Sequence, residues 1–221
     1  NSDVYDLASL TKILASLPLI MKAEEEQKIT LSSRLKEILP SFENTNKAEL
    51  SVKEILSHYG KLPAWIPFYL KTQDSITHKN SSKYYRAKKT GRFSVKVSEN
   101  LYIRKSYKDS IYKYIKDVAL RENEGYKYSD LGYYLFKEAL EETYGGSLDK
   151  LANQKFYSSL GANRMTYLPL NKFNKSVIVP SEKDDYFRNQ LLQGNVHDMG
   201  AAMLGGVAGH AGLFANANDV A

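Results

Sequence analysis

Ser9 and Lys12, in the stretch Asp6-Leu7-Ala8-Ser9-Leu10-Thr11-Lys12, are the residues whose types and spacing first suggest chemistry. Residues three apart on a helix share a face, so hydroxyl and amine can come within hydrogen-bonding reach. A serine hydroxyl is a weak nucleophile until a base takes its proton, and a partly desolvated lysine can be that base. At the start of a helix, free backbone N–H groups and the positive end of the dipole favour negative charge developing at the serine. The spacing recurs at Ser33/Lys36, Ser110/Lys113 and Ser147/Lys150, so context must choose among them. A plain N-cap beside a surface lysine is the competing reading of Ser9.

The elements that must position this pair are readable from hydrophobic period and punctuation. Leu10, Ile13, Leu14, Leu17, Ile20 and Met21 form a stripe that predicts a buried helix over 8–27, bent at Pro18. A polar Ser-Lys pair opening such a helix is costly unless it has partners or a task. Ser33 and Ser110 lie in charged surroundings, and Ser147 reads as an N-cap. A short helix is expected over 32–39, stopped by Pro40, and Ser51-Val52-Lys53-Glu54 has the spacing of a capping box. Leu62-Pro63-Ala64-Trp65-Ile66-Pro67-Phe68-Tyr69 is a rigid aromatic loop, able to wall a pocket or pack on the core. Short strands are expected within 91–107. Helices are expected over 110–119, from Ser129-Asp130 to Gly145, and over 148–160 before Gly161. The glycine-rich tail around His197 and His210 lacks a P-loop pattern.

With 221 residues, 43% apolar and 25% charged, the chain can bury a sizeable core. It has no cysteine, which excludes disulfides and thiol chemistry, and its four histidines show no metal-ligand spacing, so neither metal nor cofactor is expected. No apolar run is long enough to span a membrane. The net charge of +6 is uneven: residues 79–127 hold fourteen Lys/Arg against five Asp/Glu, interleaved with seven tyrosines. Such a segment can contact an anionic polymer, but no nucleic-acid-binding motif accompanies it, so a solvated basic insertion is the preferred reading and nucleic acid is not an expected partner.

The Ser9-Leu10-Thr11-Lys12 stretch resembles the first motif of the serine β-lactamase and D,D-peptidase superfamily. Tyr128-Ser129-Asp130-Leu131-Gly132-Tyr133 is similar to the Tyr-x-Asn motif of its class C branch. Ile55-Leu56-Ser57-His58-Tyr59-Gly60-Lys61-Leu62-Pro63 and Gly209-His210-Ala211-Gly212-Leu213-Phe214 are similar to two further segments, and the four occur in the family's order. The wording around Trp65 and over 197–214 most resembles domains that follow family 3 glycoside hydrolases in Bacteroidetes, which implies a possible fused glycosidase as partner.

The resemblance implies an α+β, β-lactamase/transpeptidase-like fold over 1–221, mainly the helical subdomain, with most of the antiparallel sheet missing and 79–127 as an insertion. It implies an acyl-enzyme serine hydrolase of the bacterial periplasm or cell envelope, acting on a β-lactam, a D-Ala-D-Ala-type peptide or an ester. Catalytic roles would fall to Ser9, Lys12, Tyr128 and Asp130, with Trp65 against the substrate. Asp130 departs from the family's Asn: an ionised carboxylate accepts hydrogen bonds but cannot donate one to a substrate carbonyl. The third family motif does not occur by Ala221, so a fragment inactive by itself is expected. The alternative is a degenerate cell-wall-recognition module attached to a glycosidase.

Overall fold

The computed structural model describes residues 2–221; Asn1 lies outside them. The chain starts with strand β1 (Tyr5–Asp6) and enters a helical run that changes geometry twice: a 3-10 turn (Ala8–Leu10), a π turn (Lys12–Ser16), then α1 (Leu17–Glu25). This corrects the stripe expected from period. Leu10, Ile13 and Met21 are exposed, while Thr11, Ala15, Leu19 and Ala23, with Lys12, Ser16 and Ile20, are buried. The buried positions step by four because the π turn holds an extra residue, which rotates the face by roughly 100° from uninterrupted α-helix counting. Pro18 falls in the first turn of α1, where a missing N–H is tolerated. The Leu14 carbonyl, which an N–H at position 18 would normally serve, accepts the Tyr157 hydroxyl at 2.9 Å.

The helix expected over 32–39 shortens to α2 (Leu35–Ile38), because Thr30 and Ser33 exchange side-chain and backbone hydrogen bonds in a turn before it. Ser51 caps α3 (Val52–Leu56) in a full capping box with Glu54. Strands β2 (Tyr85–Arg86), β3 (Val95–Ser98) and β4 (Leu101–Ile103) form an antiparallel sheet in the order β2-β4-β3, followed by α4 (Tyr107–Asp117).

Helix α5 (Leu131–Tyr144) is the core's axis, buried over nearly its whole circumference from Leu131 to Leu140 and closed by Gly145 at φ +68°. Gly132 lets it approach α3 closely: a Cβ there would sit 2.4 Å from the Ile55 Cγ2. A second helical run follows as α6 (Leu148–Ala152), a π turn and α7 (Ser158–Leu160). Ser147 occupies the cap position of α6 without capping it; the Leu148 N–H goes to the Glu141 carboxylate at 2.8 Å.

After β5 (Thr166–Tyr167), the hairpin β6 (Glu182–Asp184) and β7 (Gln190–Leu192) leads to α8 (Met199–Met203), β8 (Leu213–Ala215) and α9 (Ala217–Val220). β8 is the centre of the sheet β1-β8-β5, with Asp6 opposite Phe214 and Tyr167 opposite Leu213. The two ends of the chain are thereby stitched together. Small antiparallel sheets against a larger helical body make an α+β fold. Among the described residues no helix is long and apolar enough to cross a membrane.

Candidate active site

The β1–β8 pairing places Ser9 and the 209–213 segment side by side. The Leu7 N–H donates to the Leu213 carbonyl at 2.9 Å, and the Leu213 N–H to the Thr11 hydroxyl at 3.1 Å. Ser9 is exposed on the 3-10 turn, and Lys12 beneath it is buried. The Lys12 amine donates to Ser9 Oγ at 2.8 Å and to the His210 carbonyl at 3.3 Å, and it lies 2.7 Å from Asp130 Oδ1. Three acceptors thus match three ammonium protons. The Tyr128 ring lies over the amine, 4.8 Å to the ring centroid, and Tyr133 closes a second side at 5.6 Å. The structure therefore brings Ser9, Lys12, Tyr128 and Asp130 to one place.

Asp130 and Ser129 sit where the chain enters α5, stapled to the aromatic loop. The Asp130 N–H donates to the Ala64 carbonyl at 2.8 Å and the Ser129 hydroxyl to the Pro63 carbonyl at 2.6 Å. This fixes Trp65, 52% exposed, at a narrow cleft also lined by Phe68, Asp130, Tyr134, Asp198 and Met199. His58, at φ +62°, supports the same entry from the other side. Its Nδ1 accepts the Ser129 N–H at 3.2 Å, which leaves the proton of the neutral ring on Nε2, and its ring lies 4.6 Å from that of Tyr128. Burial pushes the His58 imidazole down, helped by the Lys12 charge and opposed by Asp130.

Two further carboxylates that sequence reasoning left unassigned hold this arrangement. Asp6 receives the Ala8 N–H at 2.8 Å and the His197 N–H at 2.7 Å, tying the turn before Ser9 to the loop before α8. Burial pushes its carboxyl up, against the pull of those two N–H groups. Asp198 caps α8 through the Ala201 N–H at 2.7 Å and holds His210 Nε2 at 2.8 Å. His210 is buried and stacked on Tyr134 at 4.2 Å between centroids, and its backbone carbonyl is the one that receives Lys12. The ring thus holds the backbone in place, and the backbone carbonyl reaches the lysine directly. The Asp184–Arg188 pair, fully buried at 2.5 Å, anchors the same loop by donating from Arg188 to the Val196 and His197 carbonyls at 2.7 and 2.6 Å. Local pattern shows at most the cap that Asp198 makes; the contacts that tie the two into the site, with His197 and His210, lie 191 and 12 residues away.

A serine with a buried amine against it, a phenol ring over that amine and a carboxylate beside it has the parts for acyl transfer. A family model described as Beta-lactamase matches residues 2–221. The chain is 28% identical over 238 residues to an N-acetylmuramyl-L-alanine amidase of Bacillus subtilis (strain 168), covering 99% of this chain and 48% of that protein. It is 29% identical over 238 residues to a putative D-alanyl-D-alanine carboxypeptidase of Escherichia coli (strain K12), covering 99% and 49%. The octameric penicillin-binding protein homologue from Pyrococcus abyssi superposes with a TM-score of 0.63 at 17% identity, over 100% of this chain and 44% of that one, a likeness of fold. The chain spans about half the length of the curated relatives it matches.

Proposed function

The chain belongs to the beta-lactamase family, and from that premise we propose that the protein is a serine hydrolase working through an acyl-enzyme on Ser9. The observation that carries this is the buried Lys12 amine, which holds Ser9 Oγ at 2.8 Å and Asp130 at 2.7 Å. Ser9 Oγ attacks an acyl carbonyl while its proton passes to the Lys12–Tyr128 pair, which takes it in the state that has already given up one proton, as Lys12 free amine or Tyr128 phenolate. The tetrahedral centre collapses as that pair returns a proton to the leaving group. Water then attacks the ester, and the serine recovers its proton. The Ser9 N–H, at the start of the helical run, is placed to meet the developing oxyanion.

Peptidoglycan-type peptides, β-lactams and simple esters are the substrate classes this reading favours, because the two curated relatives above carry amidase and carboxypeptidase names. Action on cell-wall peptides would put the protein in the cell envelope. A second reading is favoured by Asp130: a module that recognises cell-wall material without turnover, since a carboxylate beside Lys12 cannot donate to a substrate carbonyl.

Intact-mass measurement on the full-length protein after incubation with a penicillin and with a reactive serine-directed probe separates the two. An adduct mapped to Ser9 and absent from the Ser9→Ala variant supports the hydrolase. A folded protein that takes no adduct from either reagent overturns it and selects the recognition module.

A further inference from the structure

The sheet β2-β4-β3 carries a concentration of positive charge that the reaction at Ser9 does not use. Between Lys83 and Lys105 lie eight Lys and Arg residues and one carboxylate, Glu99. Glu99 is engaged by Lys175 at 2.8 Å, and none of the eight cations forms an ion pair among the described residues.

Register explains how the fold gathers them. Arg86 and Lys96 both stand opposite Tyr102, so the three lie in one row across the three strands. The neighbouring row, Tyr85, Ile103 and Val95, faces the core side: Tyr85 and Ile103 are buried, whereas Arg86 and Lys96 are exposed. Side chains alternate across a strand, so one face is core and the other cationic. Arg86 and Arg92 also share a single ring, their guanidinium carbons 4.4 and 6.0 Å from the Phe93 centroid. Like charges on neighbouring positions of one face oppose each other; Glu99, itself paired with Lys175, is the carboxylate whose field reaches Lys96.

We propose that this face binds a linear polyanion with repeating phosphodiester groups and no bases, such as a polyol-phosphate polymer. Three features choose that partner. Arginine forks suit phosphate oxygens, and Arg86 and Arg92, both exposed, stand together at the Phe93 ring. Single-stranded nucleic acid is held by bases stacked on exposed aromatic rings, whereas Phe93 and Tyr85 are buried and Tyr84 and Tyr102 are only half-exposed. Peripheral membrane attachment adds apolar insertion to charge, and none of the exposed large apolar side chains falls in this span. Charge matched along a strand of phosphates is what the face offers.

The test is a binding titration of the protein with glycerol-phosphate polymer between 50 and 300 mM salt, beside two triple variants. R86Q/R92Q/K96Q removes three charges from the face; K53Q/K150Q/K183Q removes three exposed charges elsewhere, and circular dichroism confirms that both fold. Binding at 50 mM salt that weakens at least tenfold in the first variant, with a shallower salt dependence, and less than twofold in the second supports the assignment. Absence of binding at 50 mM salt, or equal loss in both variants, overturns it. So does a preference of tenfold or more for a single-stranded oligonucleotide or for phosphatidylglycerol vesicles. None of these readings depends on whether Ser9 is acylated.

Discussion

The Asp198 carboxylate meets His210 Nε2 at 2.8 Å, and through that contact it holds the carbonyl that receives Lys12. Burial alone would raise the Asp198 carboxyl. The neighbouring His210 imidazole, its hydrogen bond and the Ala201 N–H overcome that and hold it well below the usual carboxylate range. A carboxyl lowered by folding contributes stability above its unfolded value, about 4, and loses it as pH falls through the folded value. Asp198→Asn keeps an N-cap side chain but removes the charge. It is expected to cost about 1–3 kcal/mol in urea unfolding at pH 7, with the gap to the parent narrowing below pH about 4. Acylation of Ser9 should slow about tenfold, the size of a 1.4 kcal/mol loss in positioning.

Asp130→Asn tests the departure at the second motif. The amide can still accept from Lys12 and can also donate to a substrate carbonyl, which the ionised carboxylate cannot. Acylation by a penicillin, followed by stopped mass measurement, should therefore rise by about tenfold, one good hydrogen bond's worth. A fall would mean that the charge beside Lys12 matters more than donation.

Gly132→Ala probes the contact between α5 and α3. Its Cβ would sit 2.4 Å from Ile55 Cγ2, too close without movement. Overpacking of this kind costs about 1–3 kcal/mol. Because the clash is with one side chain, the G132A/I55A double variant should be more stable than the sum of its single losses predicts. A denaturant-unfolding cycle measures that coupling.

Lys47 gives a test of pH dependence far from Ser9. Its side chain is fully buried and donates to Asn46 Oδ1 at 2.6 Å and to the Lys116 and Val118 carbonyls at 3.2 and 2.5 Å. Burial pushes its ammonium down to about 8, partly opposed by Asp117. The unfolded chain then binds more protons between pH 8 and 10.5, so this residue makes stability rise with pH across that window. The expected gain is on the order of 3 kcal/mol. Unfolding of Lys47→Met should lack that rise.

Local signals carried much of this fold, and non-local ones were invisible beforehand. Ser9 and Lys12 were readable because three residues on a helical turn bring them together, and Ser51 with Glu54 because a capping box is four residues long. Likewise Gly145 and Gly161 end their helices in the left-handed region. The face of the first helical run was misjudged because a π turn leaves no mark in apolar spacing. Leu10 and Ile13 point outward in consequence. Asp6 could not be picked out because its partner His197 lies 191 residues away, and Asp198 because nothing in the spacing shows that His210 folds back onto a helix cap. Resemblance supplied the grouping of Ser9 with Tyr128 and Asp130; their spacing along the sequence carries no such information.

The lysine's contact with the His210 carbonyl spans 198 residues of sequence. As the chain leaves the ribosome, Ser9 emerges well before β8, which pairs with the strand just before that serine. The amine at position 12 therefore lacks its carbonyl partner until residues near 210 have been made and have docked. Long-range closure of this kind is slow compared with helix formation. Assembly around Ser9 therefore waits for the segment near 210, and a product stalled before that segment would carry the serine without its surroundings.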